Sequence, residues 1–262
     1  MIRFALLILG VWLVTGAAVS LINIDIRSIS LEHILALPGE EAILGNDDLG
    51  RSIAGRLAAG AQVSLAVAVS VVGISLLIGT MIGIAAGWFG GLWDRLLVMV
   101  IDIFMAFPGL LLAIALAGLL GPGLSNAVIA LAAVGWVGFA RLSRVQVLAL
   151  KEREHVQAAR ALGVPAGRIL FRHVLPLILA PLVVQASFEL AGVVIAESTL
   201  SFLGIGIQPP QPSWGGMIRD GMRYMLVAPH MVLAPGLAIF LVVLSINILG
   251  DRLRDHMDVK DA

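Results

Sequence analysis

The chain has 262 residues, 60% of them hydrophobic and 13% charged, with no net formal charge and no cysteine. Such apolar content puts most of the chain in lipid rather than water. Zero net charge argues against a nucleic-acid partner, and the lack of cysteine excludes disulfides, thiolate catalysis and cysteine-based metal sites.

No stretch has the P-loop form G-x4-G-K-[ST]; the only lysines, Lys151 and Lys260, follow no such glycine pattern. Any ATP is therefore expected on another chain. No catalytic residue, cofactor site or metal-ligand set is expected in this one.

Residues 4–22, preceded by Arg3, form a first apolar run long enough to cross a bilayer. A cleaved signal peptide would share the basic start and the small residues Ala17 and Ala18, but its apolar core is shorter. Residues 23–62 are less apolar and centre on LGNDDLGRSIAGRL. Asp47, Asp48, Gly50 and Arg51 predict a turn leading into a short amphipathic helix at the membrane interface. Asp47 and Asp48 are adjacent, without the further oxygen ligands a calcium loop needs.

The second span is expected over 63–89. Gly79, Gly83 and Gly87 recur every fourth residue, leaving one helix face nearly bare. Such a face packs against another helix or lines a path. Gly90, Gly91 and Trp93 turn the chain near a headgroup layer. The third span, 96–120, holds Asp102, with Asp94 on nearly the same face about two turns earlier. A carboxylate there is either a hydrogen-bonded structural group near the interface or a gate residue on a water-filled path. Gly121, Pro122 and Gly123 make a tight turn into the fourth span, 124–140, so these two spans are expected to be antiparallel neighbours.

A basic loop, 141–176, follows. Apolar residues recur at Ala158, Ala161 and Leu162, then at Ile169, Leu170, Val174 and Leu175, with Gly163 and Pro165 between the runs. This reads as helix, turn, helix: Gly163 can take the left-handed conformation that ends one helix, and Pro165 has the fixed φ that starts the next. The alanine-rich first run presents a small surface able to seat in a partner's groove, while Arg160, Arg168 and Arg172 keep the unit out of the bilayer. The fifth span, 177–195, carries Pro181 and Glu189; Glu189 reads either as an interhelical hydrogen-bonding group or as a path-lining one. Residues 197–229 are more polar. Pro209, Pro210 and Pro212 bias that stretch toward polyproline II, and Trp214 suits an interface. The last span is 231–249.

Six spans put both termini on one side. That side, with the basic loop, carries twelve Lys and Arg residues (Arg3, Arg95, Arg141, Arg144, Lys151, Arg153, Arg160, Arg168, Arg172, Arg252, Arg254, Lys260). The other carries five: Arg27, Arg51, Arg56, Arg219 and Arg223. The positive-inside rule then places the termini and the loop in the cytoplasm.

Four phrases, in order, resemble the dipeptide/oligopeptide/nickel permeases of bacterial ABC importers. LGNDDLGRSIAGRL resembles their G-T-D-x-x-G-R-D-x-x-S-R-L segment, with Asn46, Ser52 and Gly55 in place of Thr, Asp and Ser. Ala158, Ala159, Gly163, Leu175 and Pro176 stand at positions of the EAA loop, where Gln157 replaces Glu and His173 replaces Ile. ESTLSFLGIGIQPPQPSWGG matches a third phrase. The ending NILGDRLRDHMD resembles a fourth, with Ile248 and Met257 for Leu and Val259 for Pro.

The resemblance implies an all-α, six-helix, type I importer permease of the bacterial inner membrane, the second member of its permease pair. A first transmembrane helix and an external interfacial segment would occupy 1–62, and a five-helix core with its coupling loop 63–262. It implies a second permease as heterodimer partner, two cytoplasmic ATPase subunits that bind the ATP, and an external substrate-binding protein. Gln157, Ala158, Ala159, Arg160, Ala161, Leu162, Gly163 and Pro176 would form the ATPase-coupling loop, with Asp102 and Glu189 as path or gate residues. Peptide, nickel and metal-chelate importers share these phrases; His33, His155, His173, His230 and His256 are scattered along the chain and outline no nickel site. The rival readings are an autonomous channel or secondary carrier and a structural scaffold. Scarce intramembrane charge and the lack of an obvious inverted repeat argue against the carrier.

Overall fold

The computed structural model describes residues 1–19, 26–39 and 42–258, the side chain of Asp258 excepted. The end of the first expected span, 20–22, and Val259 lie outside the described residues. Ten α-helices are named here: α1 (Ile2–Ala18), α2 (Ile53–Phe89), α3 (Gly91–Met105), α4 (Gly109–Leu120), α5 (Leu124–Lys151), α6 (Glu154–Ala161), α7 (Ala166–Ile169), α8 (Leu175–Phe202), α9 (Trp214–Gly221) and α10 (His230–Asp258). Among the described residues the only extended pairing is an isolated bridge between Asn46 and Ser52.

Among the described residues four helical stretches are long and apolar enough to cross a membrane: α2, α5, residues 166–202 ending in α8, and α10. Helix α1 is apolar but has 17 residues. The third expected span is not one helix. Helices α3 and α4 meet at 87°, because Pro108 lacks an N–H and disfavours helical backbone at Phe107.

Two further expectations are corrected. The helix after Arg51 is not a separate interfacial piece. Ser52 caps it by accepting from the Gly55 N–H at 3.3 Å, and it runs unbroken for 37 residues as α2. The boundary drawn at residue 62 therefore falls inside α2. Likewise α5 continues to Lys151, since residues 139–151 contain neither Gly nor Pro; Arg141 and Arg144 are helical rather than in a loop.

The interior is built from small residues. Val67, Ala68 and Val71 of α2, Ala127, Ala130 and Phe139 of α5, and Val194 and Leu200 of α8 are fully buried, while Leu77, Met81, Leu111, Leu119 and Phe240 are exposed. That distribution suits a lipid solvent, where close backbone approach rather than hydrophobic burial joins helices. Helices α2 and α5 pack along most of their length. Their seam is the glycine stripe: a Cβ at Gly79 would overlap the Trp136 carbonyl oxygen, one at Gly83 the Ala140 carbonyl oxygen, and one at Gly87 would sit 3.0 Å from the Arg144 carbonyl oxygen.

The segment before α2 is fixed by a buried carboxylate. Asp47, 5% exposed, accepts from the backbone N–H of Leu49 (3.0 Å) and Arg51 (2.9 Å) and from Arg51 Nε (2.7 Å), and lies 3.3 Å from Arg56 Nε. Burial, then the adjacent Asp47 charge, pushes the Asp48 carboxyl above its ordinary range, with Arg51 opposing.

Trp214 is packed inside the fold rather than exposed. It is 2% exposed and donates from Nε1 to the Leu57 carbonyl at 2.9 Å, because Gly60 leaves room for its ring against α2. Residues 203–213 fold back as turns rather than as polyproline II. The N–H groups of Ile205 and Gly206 bond the Leu200 carbonyl at 3.1 and 3.0 Å, and the Pro209–Pro210 peptide is cis.

Candidate functional site

The basic loop forms the expected helix, turn, helix. Helix α6 ends in a Schellman motif: Gly163 takes φ +75°, its N–H bonds the Arg160 carbonyl at 3.0 Å, and the Val164 N–H bonds the Ala159 carbonyl at 3.1 Å. A short α7 follows, then a π-helical turn over Leu170–Val174, and Pro176 stands in the first turn of α8.

The sequence alone named no inward face for α6. Val156 (0% exposed) and Ala159 (9%) face the fold, whereas Gln157, Ala158, Arg160, Ala161 and Leu162 are exposed, Leu162 at 84%. The 3.6-residue period allows either face, and the bulkier, β-branched Val156 wins the interior. Gln157 donates from Nε2 to Glu152 Oε2 at 3.1 Å. Arg160 stacks over the ring of Trp88, 4.8 Å from its centroid, which ties α6 to the end of α2. His155 and His173 stand with ring centroids 6.2 Å apart.

Glu189 and Asp102 lie in different hollows. Glu189, half-buried, borders a cavity of about 310 Å³ between α4, α5 and α8, walled by Gly109, Ala113, Gly135, Gly138 and Gly192. It has no hydrogen-bond or ion-pair partner among the described residues. Asp102 is exposed and borders a second cavity of about 400 Å³ with Met105, Ala106, Arg141 and Arg144. Beside it Arg144 grips Asp94 through two contacts, Nε to Oδ1 at 2.5 Å and Nη2 to Oδ2 at 2.8 Å, joining α5 to α3. This bidentate pair, the Trp88 contact and the role of Val156 were not legible in the sequence. The partners of the Asp94 pair are 50 residues apart, and no local period links them.

A further carboxylate is structural. Glu197, 1% exposed, accepts from Ser201 Oγ at 2.8 Å, and Ser201 Oγ accepts from the Ile207 N–H at 3.1 Å. This pins the turns after α8 to that helix.

Residues 79–260 match the family described as "Binding-protein-dependent transport system inner membrane component". The chain is 45% identical over 223 residues to the dipeptide transport system permease protein DppC of Alkalihalophilus pseudofirmus, spanning 85% of this chain and 73% of that one. It is 43% identical to the glutathione transport system permease protein GsiD of Pectobacterium atrosepticum, over 85% of this chain and 74% of that one. Its fold is similar to that of the inward-facing methionine ABC transporter MetNI, with TM-score 0.60 and 21% identity over 76% of this chain and 95% of that one. The described helices, their glycine-sealed seam and these matches agree: the chain belongs to the family of inner-membrane components of binding-protein-dependent ABC importers, a non-catalytic, multi-pass permease subunit.

Proposed function

We propose that this chain forms half of an ATP-driven path that imports peptides or glutathione-like compounds, and that α6 receives the stroke of the ATPases. The single observation carrying the coupling role is the outward face of α6. Gln157, Ala158, Ala161 and Leu162 are exposed, while the opposite side of the helix is held to the fold through Val156, Ala159 and the Arg160–Trp88 contact. A helix held on one side and bare on the other transmits force from whatever docks there. The partners are a second permease, two ATP-binding subunits and an external binding protein. The excess of Lys and Arg on the α6 side puts that face, and both termini, in the cytoplasm.

Peptide cargo is favoured over nickel or metal chelates because the relatives carry dipeptide and glutathione names. Glu189, without a hydrogen-bond partner among the described residues in its glycine-walled cavity, lines the path.

The test compares Ala158→Asp and Leu162→Asp, both on the exposed face, in the reconstituted importer. Both variants are expected to insert and fold normally, fail to retain the ATPases in a pull-down, and lose substrate-stimulated turnover. Normal docking and turnover in both would remove the coupling role. Ala159→Asp is unsuitable, because it buries a charge and tests folding instead.

A further inference from the structure

The cavities of Glu189 and Asp102 follow one another along α5. Val134, Gly135 and Gly138 wall the first, Arg141 and Arg144 the second. Val134, Gly138 and Arg141 are spaced four and three residues apart, so they share one helix face and link the two cavities. From Gly138 to Arg141 the rise is about 4.5 Å. The α3–α4 elbow stands between the cavities, with Ala106 in one wall and Gly109 in the other. The second cavity lies toward α6, since α5 leads from it into the loop that carries α6.

Two opposite charges in this second cavity do not neutralise each other. No ion pair joins Arg141 to Asp102 among the described residues, and the recorded polar contact of the Arg141 guanidinium is Met105 Sδ at 3.6 Å. The adjacent Asp94 and Arg144 are fully paired and are not available. Asp102 projects from α3, within the bent apolar pair. An ionised carboxylate there is costly unless it meets water or a partner charge. A cation and an anion held apart across one hollow match a ligand that carries both charges.

We propose that Arg141 and Asp102 form an exit site for the two termini of a zwitterionic peptide, with Arg141 taking the carboxylate and Asp102 the ammonium, below the elbow of α3 and α4. The guanidinium fork suits a carboxylate, and each charge-assisted contact contributes orientation as well as affinity. The inference rests on the import of peptides or glutathione-like compounds proposed above.

The experiment first offers Ala-Ala and glutathione, with ATP, to the complete importer in proteoliposomes. Accumulation of neither would overturn the proposed function, and this site with it. The permease–ATPase complex, without binding protein, is then titrated with the accumulated compound, its C-terminal amide and its N-acetyl derivative. Wild type is expected to bind the unblocked compound about ten- to hundredfold more tightly than either blocked form. Arg141→Gln should erase only the discrimination against the amide, and Asp102→Asn only that against the N-acetyl form. Arg141→Lys and Asp102→Glu should retain part of each, which separates recognition from misfolding. Equal binding of all three compounds by wild type, or discrimination unchanged in the variants, would overturn the site while leaving the import function standing. An equal loss of affinity for all three compounds in the variants would do the same, and would assign both residues to the second permease's interface.

Discussion

The guanidinium carbon of Arg160 lies 4.8 Å from the centroid of the Trp88 ring, so the exposed helix α6 and the longest helix of the fold meet through one cation–π contact. Trp88 is 5% exposed and follows Gly87, the last residue of the stripe that seals α2 to α5. The contact thus joins α6 to the α2–α5 pair. A double-mutant cycle with Trp88→Leu and Arg160→Gln is expected to give a coupling of about 0.5–2 kcal/mol in thermal unfolding. Either change should lower substrate-stimulated ATPase activity more than basal activity. Full additivity in the cycle would show that the stacking contributes nothing.

The seam between α2 and α5 leaves no room for a methyl group at two of its glycines. Gly79→Ala and Gly83→Ala should each destabilise the fold by about 1–3 kcal/mol, since overlap with a carbonyl of the facing helix can be relieved only by backbone movement. Gly73→Ala, on the same helix with nothing within 4 Å of the new Cβ, should be neutral or slightly stabilising. Thermal melts of the three purified variants check the contrast.

Asp47 and Asp48 are neighbours with opposite effects on stability. Asp47→Asn leaves the buried guanidinium of Arg56 without its full counter-charge, and a loss of about 3–5 kcal/mol is expected, as for any broken buried pair. Asp48 behaves differently, because burial and the Asp47 charge raise its folded pKa. A carboxyl with a raised folded pKa favours the fold when protonated. Its contribution is fully present below the unfolded value and is lost as pH rises through the folded one. Asp48→Asn should therefore raise the Tm at pH 7, and the gain should fade as the pH is lowered toward 4. A Tm gain independent of pH would show that ionisation is not its cause.

Ser201 holds two groups at once. Ser201→Ala would leave the buried Glu197 carboxyl and the Ile207 N–H without this partner, at a cost of about 1–3 kcal/mol. Proteolysis within 203–213 should accelerate, while Ser201→Thr should keep both bonds if the extra methyl fits. Unchanged proteolysis in Ser201→Ala would mean the turns are held by their backbone bonds alone.

By itself, the sequence determined the membrane class, the position of most spans and the helix–turn–helix of the basic loop. Those depend on local quantities: runs of apolar residues, the left-handed conformation open to Gly163, and the fixed φ of Pro165. The four-residue spacing of Gly79, Gly83 and Gly87 likewise marked a close-packing face, although not the helix it meets. Only the tertiary structure decided which side of α6 is bare, because Val156 and Ala158 lie on different faces of a helix whose period permits either to face inward. It also decided that 96–120 bends at Pro108, which a helix could have absorbed as a kink. And it set Asp94 against Arg144 while leaving Asp102 and Arg141 apart in one cavity. Charges distant in sequence carry no period, and whether they pair depends on distances that exist only once α3 has folded against α5.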